Sequence, residues 1–296
     1  MKIYDCFMYF DEDLILDVRF NILNEYVDYF VIVESTYNHK GEKRNLKFNI
    51  KKYDTFKSKI IYLVLDNLPK DIETINKLES NKAKEYKYIN NALKREINQR
   101  NFIYQGLKSA NAEDIILISD VDEIPFLINI DFSSIKEKII IFEQIMTHYK
   151  FNLCMPGLVW HGTRACRKKN LKSPQWLRNI KAKKYSLLRI DIIFNDMKCN
   201  NIKFIKNGGW HFSNLKKPEE IELKLNSYLH HREFELSKVT LKQIKEAIKD
   251  KKAIYDLTTD QRNEKIGKGK KLIKIENKDL PNFIITNKEK FNQWFD

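Results

Sequence analysis

The chain has 296 residues, of which 43% are hydrophobic and 12% aromatic, enough for a sizeable core and too many for a disordered polymer. Lysine and arginine number 54 against 40 acidic residues, and the net charge of +14 suits nucleic acid, an anionic membrane surface or a phosphate-bearing substrate. A lysine- and asparagine-rich composition also arises from AT-rich genomes, so charge alone does not choose a partner.

Cysteine usage and hydropathy set the expected compartment. The cysteines are widely spaced and form neither a Cys-x-x-Cys pair nor a Cys/His cluster with zinc spacing, which is typical of thiols in a reducing compartment. The N-terminus lacks an apolar signal core, and no apolar run reaches the length of a membrane span. We expect a cytoplasmic protein whose basic surface could hold it loosely against a membrane.

The first part of the chain predicts alternating strands and helices. Apolar runs favour strands at Lys2 to Phe10, Tyr29 to Val33 and Ile60 to Leu65, and acidic residues at Asp11 to Asp13 favour a helix start. A strand–helix–strand unit of this kind predicts a parallel sheet. Glu34 follows the second strand, either as a solvated strand end or as a crevice residue. The polar loop Thr36 to Arg44 follows, whose composition favours a solvated basic turn.

A long helical pattern extends from Ile75 to Leu107 and leads into the next strand. Its predicted buried stripe consists of Tyr86, Ile89, Leu93, Ile97 and Tyr104. Glu96 and Arg100 are spaced i,i+4, so they share a helix face and can pair. An arginine aimed at the following strand end would serve a phosphate instead.

An acidic segment follows the buried strand Ile115 to Ile118. Asp120 and Asp122 point the same way in an extended segment, because side chains alternate with period two. Two carboxylates at the carboxyl end of a buried strand can bind a hard divalent cation. The alternative is an acidic, solvated turn before Pro125.

Beyond Pro125 the pattern is less regular. We expect strands at Lys138 to Met146, Tyr185 to Phe194 and Ile202 to Ile205, and a substrate-lining region with a surface loop at Tyr149 to Thr163. The tail from residue 236 to 296 is predicted to be a basic, mostly helical extension packed on the domain formed by residues 1–235.

A second informative segment lies at Gly208 to Ser213. The two glycines allow positive φ or close backbone approach, Trp210 offers a flat apolar surface for a sugar, and His211 could complete a metal shell. A lone histidine is more often a structural residue. Glu219 and Glu220 follow Pro218, as is typical of a helix first turn.

Five segments together resemble glycosyltransferase family 17. They are Tyr4 to Phe7, Phe30 to Glu34, Gln99 to Asn101, Ser119 to Pro125 and Gly209 to Ser213, in the order found in that family. The family includes β-1,4-mannosyl-glycoprotein 4-β-N-acetylglucosaminyltransferases. The resemblance implies an α/β, GT-A type fold with a Rossmann-like open twisted sheet flanked by helices, and an inverting, metal-dependent transfer from a UDP-sugar to a glycan or glycolipid.

The same resemblance implies roles for individual residues. Asp120 and Asp122, with His211, would hold Mn²⁺ or Mg²⁺ on the donor diphosphate. The residues that would bind the UDP-sugar donor are Glu34, Arg100, Asn101, Asp120 and Trp210. An inverting reaction needs a general base, for which Glu219 is the first candidate and Glu220 and Asp191 are others. The alternatives are a nucleotide-sugar enzyme of other chemistry, against which the lack of a glycine-rich phosphate loop argues, and a basic nucleic-acid-binding protein.

Overall fold

The computed structural model describes residues 1–185, 195–228, 231, 234–235, 239–254 and 269–296. The predicted strand from Tyr185 to Phe194, and with it Asp191, lies outside the described residues apart from Tyr185 itself.

The described strands join in one mixed sheet. Their order is β3-β2-β1-β4-β7-β6-β9-β5, with β8 paired to β6 and β10 paired to β7. The strands are β1 (Ile3–Tyr9), β2 (Tyr29–Ser35), β3 (Ile60–Leu65), β4 (Ile115–Asp120), β5 (Glu123–Pro125), β6 (Ile139–His148), β7 (Leu153–Arg167), β8 (Ile202–Ile205), β9 (Gly209–Ser213) and β10 (Ile273–Lys274).

Helices flank this sheet. They are α1 (Asp13–Leu23), α2 (Asn81–Phe102), α3 (Pro174–Asn179), α4 (Pro218–Ser227), α5 (Leu241–Lys249) and α6 (Asn282–Thr286). Short 3₁₀ segments lie at Ile50–Lys59, Ile103–Leu107, Lys168–Asn170, Asn277–Asp279 and Asn292–Trp294. The predicted open α/β sheet with flanking helices is confirmed, and the arrangement is consistent with a GT-A-like fold.

The first four strands of the order are parallel, as predicted from the alternating pattern. Runs such as Phe30 to Val33 and Ile115 to Ile118 are buried on both faces, which is why they are continuously apolar. The register sets Tyr9 opposite Glu34 and Met8 opposite Asp120. The carboxyl ends of β1, β2 and β4 therefore meet at one edge of the sheet, where ligands bind in open α/β folds.

The other half of the sheet is largely antiparallel. β7 pairs antiparallel with both β4 and β6, while β9 runs parallel to β6 and antiparallel to β5. The expected loop within Tyr149 to Thr163 is therefore mostly strand β7. Its aromatic and glycine content had suggested a loop, but pairing with two neighbours decides the conformation.

Helix α2 differs from its predicted pattern. It begins at Asn81 with Ser80 as its N-cap, and its buried residues are Asn91, Ala92, Gln99 and Arg100. The predicted apolar stripe is wrong, since Tyr86 is 66% exposed and Leu93 and Tyr104 are also exposed. The polar residues are buried because this face borders the sheet edge where Asp120 ends β4. The predicted pair between Glu96 and Arg100 is confirmed, at 2.8 Å.

Residues from the C-terminal part contribute to the core. Leu280, Ile284 and Phe291 belong to the main cluster that includes Phe20 and Phe30. Ile244 and Leu272 pack in another cluster with Leu225 of α4. The boundary near residue 235 stays a prediction. No helix of the described residues combines the length and the apolar character that crossing a membrane requires.

Candidate active site

A cavity of about 400 Å³ lies at the carboxyl ends of β1, β2 and β4. Helices α2 and α4 and strand β9 contribute to its walls. Its lining includes polar and charged side chains from all of these elements, among them Glu12, Ser35, His39, Arg44, Glu96, Gln99, Arg100, Asp120, Asp122, His211 and Lys224. The structure thus brings together Arg100, Asp120, Asp122 and His211, four of the residues that the sequence proposed.

Asp120 ends β4 between two arginines. Arg100 Nη2 lies 3.0 Å from Oδ1, and Arg178 Nη2 lies 2.8 Å from Oδ2. Burial would raise the pKa of Asp120, but Arg178 and Arg100 outweigh it and hold the pKa at about 2. The carboxylate is therefore ionised throughout the physiological range. Arg178 comes from the short helix α3, whose N-cap Ser173 accepts a hydrogen bond from the Trp176 amide.

Asp122 faces a lysine and a histidine. Lys224 Nζ lies 3.2 Å from its Oδ2, and His211 Nε2 lies 3.5 Å from its Oδ1. Burial alone would raise the pKa of Asp122, yet Lys224 and His211 hold it well below its usual range. Lys224 reaches this position from the inner side of α4, whose apolar residues Ile221 and Leu225 are buried.

The buried side chain of Glu123 stabilises the acidic turn. Its side chain is fully buried and accepts hydrogen bonds from Trp160 Nε1 at 2.6 Å, Arg178 Nη2 at 2.5 Å and the Asp120 amide at 3.0 Å. Because these three hydrogen bonds engage its carboxylate oxygens, Glu123 has a structural role. Trp160 in turn packs its ring against His211, with ring centroids 4.8 Å apart.

A buried ion pair beneath the turn was missed from the sequence. Arg19 of α1 binds Asp5 of β1 through two contacts of 2.7 and 2.5 Å, and both side chains are fully buried. Its Nη1 also donates to the carbonyl oxygens of Asp120, Val121 and Glu123, at 3.2, 3.1 and 2.7 Å. Arg19 therefore fixes the backbone that carries both aspartates. The available signal was a charged residue among the apolar residues of β1 and of α1.

Other predicted donor-binding residues are engaged elsewhere. Glu34 is fully buried and accepts hydrogen bonds from the amides of Lys47 and Phe48 and from the Tyr62 hydroxyl, so it anchors the segment after the loop. It also pairs with Arg44 at 3.0 Å. Asn101 Oδ1 accepts from the Gln175 amide at 3.0 Å. Neither Glu34 nor Asn101 lines the cavity.

Trp210 and Glu219 also lie outside the cavity lining. Trp210 is 7% exposed, stacks on Phe212 and donates from Nε1 to the Asp279 carbonyl at 2.7 Å. Glu219 is exposed on α4 and pairs with Lys245 at 2.7 Å. Their predicted roles in donor binding and base catalysis gain no support from these positions and stay predictions. Glu220 caps α4, accepting from the Lys217 amide at 2.8 Å.

The donor set suits a hard divalent cation. Carboxylate oxygens with an imidazole nitrogen are ligands for Mn²⁺ or Mg²⁺. The Nδ1 atom of His211 is buried and has no hydrogen-bond partner among the described residues, so no other described group competes with an ion for this nitrogen. Among the same residues, no three His, Cys, Asp or Glu side chains form a ready-made metal cluster, and positively charged side chains contact both aspartates.

The chain is similar in sequence to a known protein family and to three related enzymes. The model of glycosyltransferase family 17 matches residues 1–163. β-1,4-Mannosyl-glycoprotein 4-β-N-acetylglucosaminyltransferases of Homo sapiens and Rattus norvegicus are each 30% identical to the chain over 119 residues, and that of Mus musculus is 29% identical. The matched segment is 38% of this chain and 19% of each relative, so the chain spans only a small part of their length.

The family match covers more than half of the chain and includes β1, α1, β2, α2 and the acidic turn after β4. Most residues that line the cavity at the carboxyl ends of the parallel strands lie within this matched part of the chain. The chain belongs to glycosyltransferase family 17.

Proposed function

We propose that the protein transfers a sugar, N-acetylglucosamine, from a UDP-sugar to a hydroxyl group of a glycan or glycolipid, with Mn²⁺ or Mg²⁺ as cofactor. The observation that carries this proposal is the convergence of Asp120, Asp122 and His211 on one cavity at the carboxyl ends of parallel strands. Family membership favours transfer chemistry over the nucleic-acid-binding and other nucleotide-sugar alternatives. The choice of sugar follows the activity for which the related enzymes are named.

Asp120, Asp122 and His211 would hold the metal ion. When bound, such an ion neutralises the charge that develops on the departing diphosphate. Asp122 would exchange its contact with Lys224 for the ion, and the released ammonium group would remain in the cavity beside the phosphates. Both aspartates are ionised at neutral pH, as metal ligation requires.

Arg100, Arg178 and Lys224 would bind the diphosphate itself. A guanidinium matches two phosphate oxygens at once, and an ammonium group acts as a point charge. The three positively charged side chains that contact the two aspartates would accommodate the dianionic diphosphate of a UDP-sugar and the further negative charge that develops as UDP departs. This use of positive charge is local, and it does not depend on the overall charge of the chain.

Thermal unfolding with and without ligands tests the proposal. Saturation of the native state at 100 times the dissociation constant would add about 2.7 kcal/mol of stability. We expect UDP-N-acetylglucosamine to raise the Tm of the wild-type chain only when Mn²⁺ or Mg²⁺ is present. Asp122→Asn should abolish the shift, whereas Asp196→Asn, whose side chain is 78% exposed, should leave it unchanged.

Two results would count against the proposal in different ways. Equal stabilisation by the donor without metal would remove the cation from the mechanism. No response to any UDP-sugar, together with salt-sensitive binding to random DNA, would favour the nucleic-acid alternative. Release of UDP in the presence of an array of glycans would then identify the acceptor.

A further inference from the structure

The loop after β2 holds His39 in a fixed position at the cavity wall. Asn38 Oδ1 accepts hydrogen bonds from the amides of Gly41 and Glu42, both at 2.9 Å, which closes a tight turn around His39. The His39 amide donates to the Ser227 carbonyl at 3.2 Å, and Arg95 Nη1 donates to the His39 carbonyl at 3.1 Å. The backbone of His39 is thus tied to both α2 and α4.

Gly41 is needed for this turn. Its φ of +100° is rarely adopted by other residues, and a Cβ atom there would lie 2.6 Å from the Arg95 guanidinium. The predicted solvated basic turn is instead an ordered loop with one side facing the cavity.

The neighbouring Gln99 fixes which nitrogen of His39 carries the proton. Gln99 Nε2 donates to the Val33 carbonyl at 3.1 Å, and a carbonyl can only accept. The amide oxygen of Gln99 therefore faces His39, where it lies 3.1 Å from Nε2. Because this oxygen also only accepts, Nε2 must carry the hydrogen, and Nδ1 is left with a bare lone pair.

This Nδ1 atom is buried and has no hydrogen-bond partner among the described residues. Burial also lowers the pKa of His39, so the imidazole is neutral at physiological pH and its lone pair is available. A buried acceptor without a partner is disfavoured, and in native proteins such an atom usually has one. Because His39 lines the cavity, a ligand bound there would be able to supply the hydrogen-bond donor that this atom lacks.

We propose that His39 Nδ1 accepts a hydrogen bond from a donor group of the bound nucleotide sugar, either a hydroxyl or the imide N–H of the base. This inference rests on the proposed function. The position of His39 favours contact with the nucleotide sugar over the role of general base. Gln99, which holds its ring, lines the same cavity as Arg100 and Asp120, so His39 lies near the groups that would bind the diphosphate. An inverting reaction needs its base on the opposite face of the sugar.

Two substitutions at position 39 distinguish the effect of the hydrogen-bond acceptor on the side chain from the effect of the volume that the side chain fills. His39→Asn places an amide oxygen at the same number of bonds from the backbone as Nδ1, so it can keep the acceptor. His39→Leu fills similar space without one. The matched control is His161→Asn, because His161 lies on β7 outside the cavity lining. Calorimetric titration in Mn²⁺ with UDP and with UDP-N-acetylglucosamine gives the dissociation constants.

We expect His39→Leu to weaken binding by roughly ten-fold, because one hydrogen bond is lost. His39→Asn should recover most of this loss. His161→Asn should bind with the affinity of the wild type. A loss for both ligands assigns the donor group to the nucleoside, and a loss for UDP-N-acetylglucosamine alone assigns it to the sugar. Wild-type affinity in His39→Leu would overturn the inference. Failure of the wild-type chain to bind either ligand would instead reject the proposed function.

A measurement on the unmodified chain covers the case in which His39→Leu does not fold. In ¹⁵N-histidine-labelled wild-type protein, the Nδ1 resonance of His39 should have the position of a bare imidazole nitrogen. It should move upfield when UDP-N-acetylglucosamine and the diamagnetic ion Mg²⁺ are added, because the lone pair then accepts a hydrogen bond. An unchanged resonance at saturating ligand would overturn the inference.

Discussion

At the scale of single residues, the site is a set of ionised groups whose charges are balanced in pairs. Asp120 has two arginines, Asp122 has a lysine and a histidine, and Glu96 has Arg100. Glu12, the remaining carboxylate of the described cavity lining, interacts electrostatically with Lys224, and its Oε2 accepts hydrogen bonds from the amides of Phe10 and Asp11. A ligand that brings its own charges can enter by exchanging partners rather than by exposing a buried ion.

Arg19 is the residue whose geometry matters most beneath the site. Lysine at this position keeps the charge beside Asp5 but loses the fork that binds three carbonyl groups. We expect Arg19→Lys to lower the free energy of unfolding by about 2–3 kcal/mol, since hydrogen bonds to charged groups are worth about 1.5–3 kcal/mol. Urea unfolding measures this loss, and Mn²⁺-dependent UDP binding should weaken as well.

Arg167→Lys provides the comparison, because Arg167 pairs with the exposed Glu113 and donates to only one carbonyl group in the described residues, that of Phe132. A loss of less than about 1 kcal/mol is expected there, as for other exposed ion pairs. If both substitutions cost the same, the buried fork of Arg19 has no special role.

At the scale of elements, the site depends on close approach between β9 and β5. Gly209 has φ of +130°, and a Cβ atom there would lie 2.1 Å from the Ile124 carbonyl oxygen. The same pairing sets His211 opposite Glu123, so it joins the predicted metal ligand to the acidic turn. The glycine pair in the sequence had suggested positive φ or close approach, and Gly209 has both.

Gly209→Ala should therefore be severely destabilising. Backbone strain and overpacking together are expected to cost about 3 kcal/mol or more in the free energy of unfolding. Gly157→Ala is the matched control, since Gly157 has φ of +71° but no atom within 4 Å of its Cβ position. It should cost only about 1 kcal/mol, the strain alone. Equal losses in urea unfolding would show that crowding against β5 is unimportant.

At the scale of the whole molecule, the C-terminal part is integral to the core. Ile275 and Phe151 form backbone hydrogen bonds that join residues 273–296 to the segment around β7, and Trp210 donates to the Asp279 carbonyl. Ile284 is fully buried in the main cluster. The chain around the site thus relies on residues that lie far beyond the family match in sequence.

Ile284→Ala tests this dependence. Removing a buried branched side chain usually costs about 2–5 kcal/mol, and we expect a loss in that range with a single cooperative transition. Ile273→Ala, at a position that is 50% exposed, should cost less than about 1 kcal/mol. A separate, earlier transition for Ile284→Ala would instead indicate that the C-terminal part unfolds independently.

The sequence by itself determined the parallel half of the sheet and the acidic turn. Continuous apolar strands alternate there with a helix pattern, and these signals are local, so Asp120, Asp122 and Arg100 could be assigned to one sheet edge. The i,i+4 spacing also predicted the pairing of Arg100 with Glu96, but only the tertiary structure decided the partners of the two aspartates. Arg178, Lys224 and Arg19 lie 58, 102 and about 100 residues from the aspartates or turn carbonyls that they contact. No periodicity marks such pairs, since their contacts arise only when distant elements pack together.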